Sequence, residues 1–199
     1  MAGTYARERG AGVLERQIVP NDEVAGAPHM LMDITHPVEV REQSREQCLA
    51  LINSQTFEPR RLLQSNGLGT MGYALPSAIA AAMHFPKRPV LAMMGEAGLD
   101  MVIGEMALLA KHRLALTIVV FRDDTLSLIK LKQQRMKLPE TGVATGSPDY
   151  VMLAEAYGGN GFVVNDVAEL KKAARVALNS KRFTLIEARI NPLEYQTQM

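Results

Sequence analysis

The 199-residue sequence contains no tryptophan and one cysteine, and aromatic residues make up only 5% of it. A lone Cys48 excludes an internal disulfide, and neither a CxxC pair nor a Cys/His zinc spacing occurs. A reducing interior is the default that follows. Neither sign of charge dominates: 22 Lys and Arg against 21 Asp and Glu leave a formal net charge of +1. That balance gives no electrostatic footprint for nucleic acid or an anionic membrane surface. No apolar run approaches the roughly 18–20 residues that span a bilayer. The first ten residues mix both charges and lack an apolar signal core. A cytoplasmic protein with no membrane or nucleic-acid partner is the expectation.

What is present is ordinary globular composition, 47% apolar and 22% charged, in a length that buries a sizeable core. Residues 1–40 show little periodicity and carry scattered Gly, Pro and charge. They are expected to form an arm or linker, leaving 41–199 as the folded domain. A helix is expected between Pro37 and Ser54. Beyond it, helical and strand patterns alternate: a small-residue helix over Tyr73–His84, a buried strand over Pro89–Met94, and a helix over Met101–His112. That last helix would put Ile103, Met106, Ala107 and Ala110 on one side. The run Leu116–Phe121 is β-branched and apolar throughout, as in a strand buried on both faces. A helix beginning near Thr125, a loop over Pro139–Pro148, a helix over Asp149–Tyr157 and a strand over Gly161–Val164 follow. A helix over Val167–Asn179 capped by Asp166 and a strand over Phe183–Ala188 complete the series. Strands separated by helices of 10–13 residues predict a three-layer α/β/α domain with a mostly parallel sheet.

Two glycine motifs stand out. Gly67-Leu-Gly69-Thr-Met-Gly72 fits GxGxxG, the dinucleotide fingerprint of an NAD-dependent oxidoreductase. That fingerprint needs an apolar strand running straight into its first glycine. Here Gln64-Ser65-Asn66 intervenes after only Leu62-Leu63, so this reading is the weaker one. The second motif, Met94-Gly95-Glu96-Ala97-Gly98-Leu99-Asp100, places two glycines and a carboxylate between a strand and a helix. Backbone N–H groups at such a turn suit a diphosphate, with the helix N-terminus behind them. A carboxylate there is placed to hold magnesium against the same phosphates. The next strand ends in Arg122-Asp123-Asp124-Thr125, and in a parallel sheet both loops leave the same edge. Asp123 and Glu96 then face a single ion. Separately, Glu96 reads as a helix N-terminal acid and Asp123-Asp124 as a capping pair; together they favour a metal site.

Asp123 follows Glu96 by 27 positions, which is the interval between the two metal ligands of thiamine-diphosphate enzymes. Upstream, Arg60 to Pro76 closely resembles the corresponding stretch of acetolactate synthases, and Leu126 to Gln133 resembles the helix after the second ligand. The similarity covers roughly residues 58–190. This resemblance to the C-terminal, diphosphate-binding domain of the acetolactate synthase family implies thiamine diphosphate and Mg2+ as cofactors. It implies metal ligation by Glu96, Asp123 and the Thr125 carbonyl. Gly95, Ala97 and Gly98 would meet the diphosphate, the last two through backbone N–H. Gly69 and Thr70 would line the cavity, and Met71 would prop the cofactor in its bent form. The core-methionine alternative stays open for Met71.

The implied reaction is that of a 2-oxo acid decarboxylase or acetolactate-synthase-like carboligase. The glutamate that activates the cofactor in relatives belongs to an N-terminal domain, and no residue here is assigned a catalytic role. A second chain carrying a pyrimidine-binding domain, an oligomer, and a small 2-oxo acid substrate are expected. Two departures from the family pattern are visible. Glu96 replaces the usual Asp, adding a methylene where magnesium demands near-ideal octahedral geometry at ~2.1 Å. Arg122 stands at a position that is generally neutral or Asn, with Asp124, a phosphate or a disturbed site as its outcomes. They support an alternative: a non-catalytic or truncated relative acting as a binding or regulatory subunit. His84 and His112 are expected near helix C-termini, without a role in catalysis.

Overall fold

A computed structural model describes residues 29–32, 62–64 and 70–191. The helix expected between Pro37 and Ser54 lies outside these residues. Six strands form one sheet: β1 (His29–Met32), β2 (Leu62–Gln64), β3 (Val90–Gly95), β4 (Thr117–Arg122), β5 (Asn160–Val164) and β6 (Thr184–Arg189). Their spatial order is β2-β1-β3-β4-β6-β5, and all five pairings are parallel. The helices are α1 (Ala74–His84), α2 (Glu96–Asp100), α3 (Met106–His112), α4 (Ser127–Arg135), α5 (Tyr150–Ala156) and α6 (Val167–Leu178). β1 falls inside the segment expected to be an arm, where four residues pair with β3 and three of them also with β2.

The central strands explain their own composition. Along β3, Val90, Ala92 and Met94 enter one apolar cluster while Leu91 and Met93 enter the other. β4 divides likewise, with Ile118 and Val120 on one side and Val119 and Phe121 on the other. A strand buried on both faces has no polar side, which is why these runs read as continuously apolar. On one face the cluster takes in Leu75 and Ile79 of α1, Met106 and Leu109 of α3, and Tyr150 and Ala154 of α5. On the other, Leu170, Ala173 and Ala177 of α6 close the core. The result is the three-layer α/β/α architecture.

One expected helix is divided. In place of a continuous Met101–His112, α2 starts directly at Glu96, and Val102 leaves helical geometry at φ −130° and ψ 17°. A 3-10 turn at Ile103–Glu105 follows before α3 begins. The break rotates the buried face. Met106 and Leu109 are buried, whereas Ala107 and Ala110 are exposed. His84 and His112 close α1 and α3.

Candidate cofactor and metal site

β3 and β4 are neighbours, with Gly95 paired in register to Phe121. Their C-terminal ends therefore deliver Glu96 and Asp123 to the same edge of the sheet. Glu96 is 4% exposed. One of its carboxylate oxygens accepts the Asp123 N–H at 3.1 Å. The other accepts the Thr125 N–H at 3.1 Å and the Thr145 hydroxyl at 3.2 Å. Asp123 accepts the Thr125 N–H at 3.0 Å on one oxygen and the Ser127 hydroxyl on the other. Thr125 thus joins both carboxylates through its N–H, while its carbonyl accepts the Ser127 N–H at 2.9 Å. Asp123 and Asp124 do not act as a capping pair. α4 begins after Leu126, with no side-chain cap, and Asp124 is exposed, left-handed at φ 60° and paired with Arg122.

A buried carboxylate beside a half-buried one raises the cost of ionising either. Burial pushes the Glu96 carboxyl up to about 7, and the neighbouring Asp123 charge adds to the rise against the pull of its hydrogen-bond donors. Burial also raises the Asp123 carboxyl above its ordinary value, opposed by the Ser127 hydroxyl and the Thr125 N–H. A cation between them would relieve both effects. Among the described residues no group of three or more His, Cys, Asp and Glu is placed to hold a metal. Two carboxylates and backbone oxygens fit magnesium, which takes one or two protein carboxylates and completes its octahedron with phosphate oxygens and water. They do not make a closed all-protein site.

The glycine turn differs from expectation. Gly95 is extended at φ −76° and ψ 161°, the N-cap of α2, and the strand runs into the helix without a left-handed residue. α2 has only five residues, so its aligned dipoles contribute little, and an anion here depends on local N–H groups such as those of Ala97 and Gly98. Among the described residues, the chain neighbours of Gly95 aside, no atom lies within 4 Å of where a Gly95 side chain would start. Gly72 has φ +79°, and a side chain on it would begin 2.8 Å from Val102 Cγ1 and 3.7 Å from the Gly98 carbonyl oxygen. The upstream motif is thereby packed against the Gly98–Val102 turn. Met71 is half-buried and outside both core clusters, unlike the buried Met93, Met94 and Met106. Thr70 is exposed, and Gly69 lies outside the described residues.

Sequence reasoning missed Thr145 and Tyr150. The Tyr150 hydroxyl donates to Asp100 at 2.7 Å and meets the Glu96 carbonyl at 3.4 Å. Thr145 falls in the stretch expected to be plain loop, and no local spacing ties it to a residue 49 positions earlier. The dinucleotide reading also fails on topology. Among the described strands β2 is three residues long and stands at the sheet edge, where the dinucleotide fold uses a central strand.

The model of the thiamine pyrophosphate enzyme C-terminal TPP-binding domain matches residues 48–188, and the chain belongs to this family. Its cofactor class is thiamine diphosphate. The acetolactate synthase isozyme 1 large subunit of Escherichia coli (strain K12) is 35% identical over 140 residues, which cover 68% of this chain and 25% of that protein. A probable acetolactate synthase large subunit of Methanococcus aeolicus is 31% identical over 140 residues, 69% of this chain and 23% of the relative. The chain thus spans about a quarter of the length of these curated relatives. The crystal structure of benzoylformate decarboxylase from Polynucleobacter necessarius superposes with a TM-score of 0.70 at 21% identity, covering 92% of this chain and 33% of that one. That likeness establishes the shared fold. Among the described residues no helix is long and apolar enough to cross a membrane.

Proposed function

We propose that this chain is the diphosphate- and magnesium-binding half of a thiamine-diphosphate-dependent 2-oxo acid decarboxylase or acetolactate-synthase-like carboligase. The meeting of Glu96 and Asp123 across adjacent strand ends, 3.1 Å from carboxylate to backbone N–H, carries the reading. Glu96, Asp123 and the Thr125 carbonyl would hold magnesium. Gly95 leaves room for the diphosphate, Ala97 and Gly98 would donate N–H to it, and Gly69, Thr70 and Met71 would flank the rings. When bound, thiamine diphosphate supplies the carbon nucleophile for a 2-oxo acid and the electron sink for decarboxylation. The chain's own residues bind and orient it.

The pyrimidine-binding domain would come from a second polypeptide, within an oligomer. α4 and the turn after it support association with a partner: none of the α4 residues is buried, and Ile129 within it and Met136 and Leu138 after its end are about half or more exposed. Exposed apolar side chains grouped in this way are characteristic of a face completed by association.

One observation favours a second reading, a non-catalytic binding or regulatory subunit. Both Glu96 oxygens already accept protein donors, so the carboxylate is satisfied without a metal.

Calorimetric titration of the chain with thiamine diphosphate, with and without magnesium, tests the proposal. Magnesium-dependent heat is expected from the unaltered protein. Binding seen only in Glu96→Asp would establish the second reading. No magnesium-dependent heat from either protein would sink the idea that this chain holds the diphosphate.

A further inference from the structure

Arg122 is the residue at this edge for which cofactor binding provides no task. All three guanidinium nitrogens donate to protein: Nε to Asp124 at 2.7 Å, Nη1 to Glu187 and to the Pro148 carbonyl at 3.2 Å each, and Nη2 to the Ser147 carbonyl at 3.3 Å. Its guanidinium carbon lies 5.6 Å from the centre of the Tyr150 ring. Residues 143–149 form a strap across the carboxylate pair. One end is tied by the Leu126 N–H to the Val143 carbonyl at 2.7 Å and by the Thr145 N–H to the Asp124 carbonyl at 3.3 Å. Arg122 ties the other end at Ser147 and Pro148. Thr145, held by its backbone at the first end, directs its hydroxyl to Glu96 and shares a contact of 3.1 Å with the Ser147 hydroxyl, next to the residues that Arg122 holds.

We infer that Arg122 is a positioning residue for the carboxylate pair: by clamping the strap at Ser147 and Pro148 it keeps the Thr145 hydroxyl on Glu96 and sets how Glu96 and Asp123 meet a divalent cation. The clamp stands on contacts within the protein; its effect on a cation rests on the metal reading proposed above. Four of the five guanidinium N–H groups are engaged by the strap, Asp124 and Glu187, which directs Arg122 to protein acceptors in this arrangement. Its charge is not the essential property. Arg189 also donates to Glu187 at 3.1 Å, so the buried Glu187 keeps a cationic partner when Arg122 is replaced. A planar fork of donors reaches acceptors on three segments, whereas one lysine ammonium does not.

The test uses the full chain with Arg122→Lys, Arg122→Met, Thr145→Val and the double variant Arg122→Met/Thr145→Val. Amide hydrogen exchange is followed in metal-free protein, and Mn2+ alone is titrated by electron paramagnetic resonance. Both Arg122 variants are expected to exchange faster at Leu126 and Thr145 while Val119 and Ile186 stay protected. Each single variant should weaken Mn2+ binding about tenfold, the scale of losses from groups that orient a metal ligand. The double variant should be no weaker than its weaker parent, because both changes break the same link. Unchanged exchange at Leu126 and Thr145, full Mn2+ affinity in Arg122→Lys, or additive losses in the double variant would each overturn the inference. If the unaltered chain binds no Mn2+, the metal reading falls, and the exchange measurement alone decides the clamp.

Discussion

Glu96 reaches its partners with a side chain one methylene longer than that of an aspartate. Shortening it withdraws the carboxylate by about one C–C bond, ~1.5 Å. The Asp123 N–H and Thr145 hydroxyl would then lose their acceptor, whereas the Thr125 N–H would retain Asp123. Metal-free Glu96→Asp should therefore be about 1–3 kcal/mol less stable than the parent. The expected signature is a lower denaturant midpoint with an unchanged slope. Gly72 makes a contrasting demand, since its left-handed backbone and the Val102 methyl both oppose a side chain. Gly72→Ala should cost about 1–3 kcal/mol. Adding Val102→Ala should recover only the steric part, leaving a deficit in thermal unfolding that reports the backbone.

At the scale of the element, caps were legible and breaks were not. Asp166 accepts the Glu169 N–H at 2.8 Å, and the Glu169 carboxylate accepts the Asn165 N–H at 2.8 Å, a reciprocal arrangement that fixes the start of α6. Asp166→Ala should lower stability by about 1 kcal/mol in denaturant titration, with the α6 amides first to lose protection. Asp166 could be recognised because a cap is local chemistry followed by a period. β3 and β4 were legible for a similar reason, their apolar runs recording burial on both faces. The division of Met101–His112 was not, because nothing in the apolar spacing marks Val102 as the place where the helix leaves its axis. The packing of Val102 beside Gly72 is a contact between distant segments. Glu96 and Asp123 were found through their interval. Asp124 was among the partners open to Arg122, but Thr145 and the distant acceptors of Arg122 were not legible, because a strap's path depends on tertiary closure.

For the molecule as a whole, a ligand that binds only the folded state adds stability by mass action. With magnesium present and thiamine diphosphate at a hundred times its dissociation constant, the gain is about 2.7 kcal/mol. A domain of this size should then melt about 5–10 °C higher. A chelator should abolish the shift if the diphosphate is held through the metal, and differential scanning calorimetry reads both arms. The layered architecture was legible because alternating patterns leave few ways to cover a parallel sheet. The place of β1 was not, since four residues amid Gly, Pro and scattered charge give too short a pattern to separate from an arm.

The ladder that pairs Gly95 with Phe121 acts as a vernier for the candidate metal ligands. Their separation is governed by how two strands are aligned rather than by the length of chain between them. An extra residue within 113–115, before β4 begins, should be absorbed by the connection, leaving the carboxylates opposed. The same insertion after Arg122 would carry Asp123 one strand step onward, ~3.3 Å. Tolerance to insertion should therefore change sharply across the six residues of β4. Cofactor binding by the two insertion variants would expose that difference even where both proteins fold.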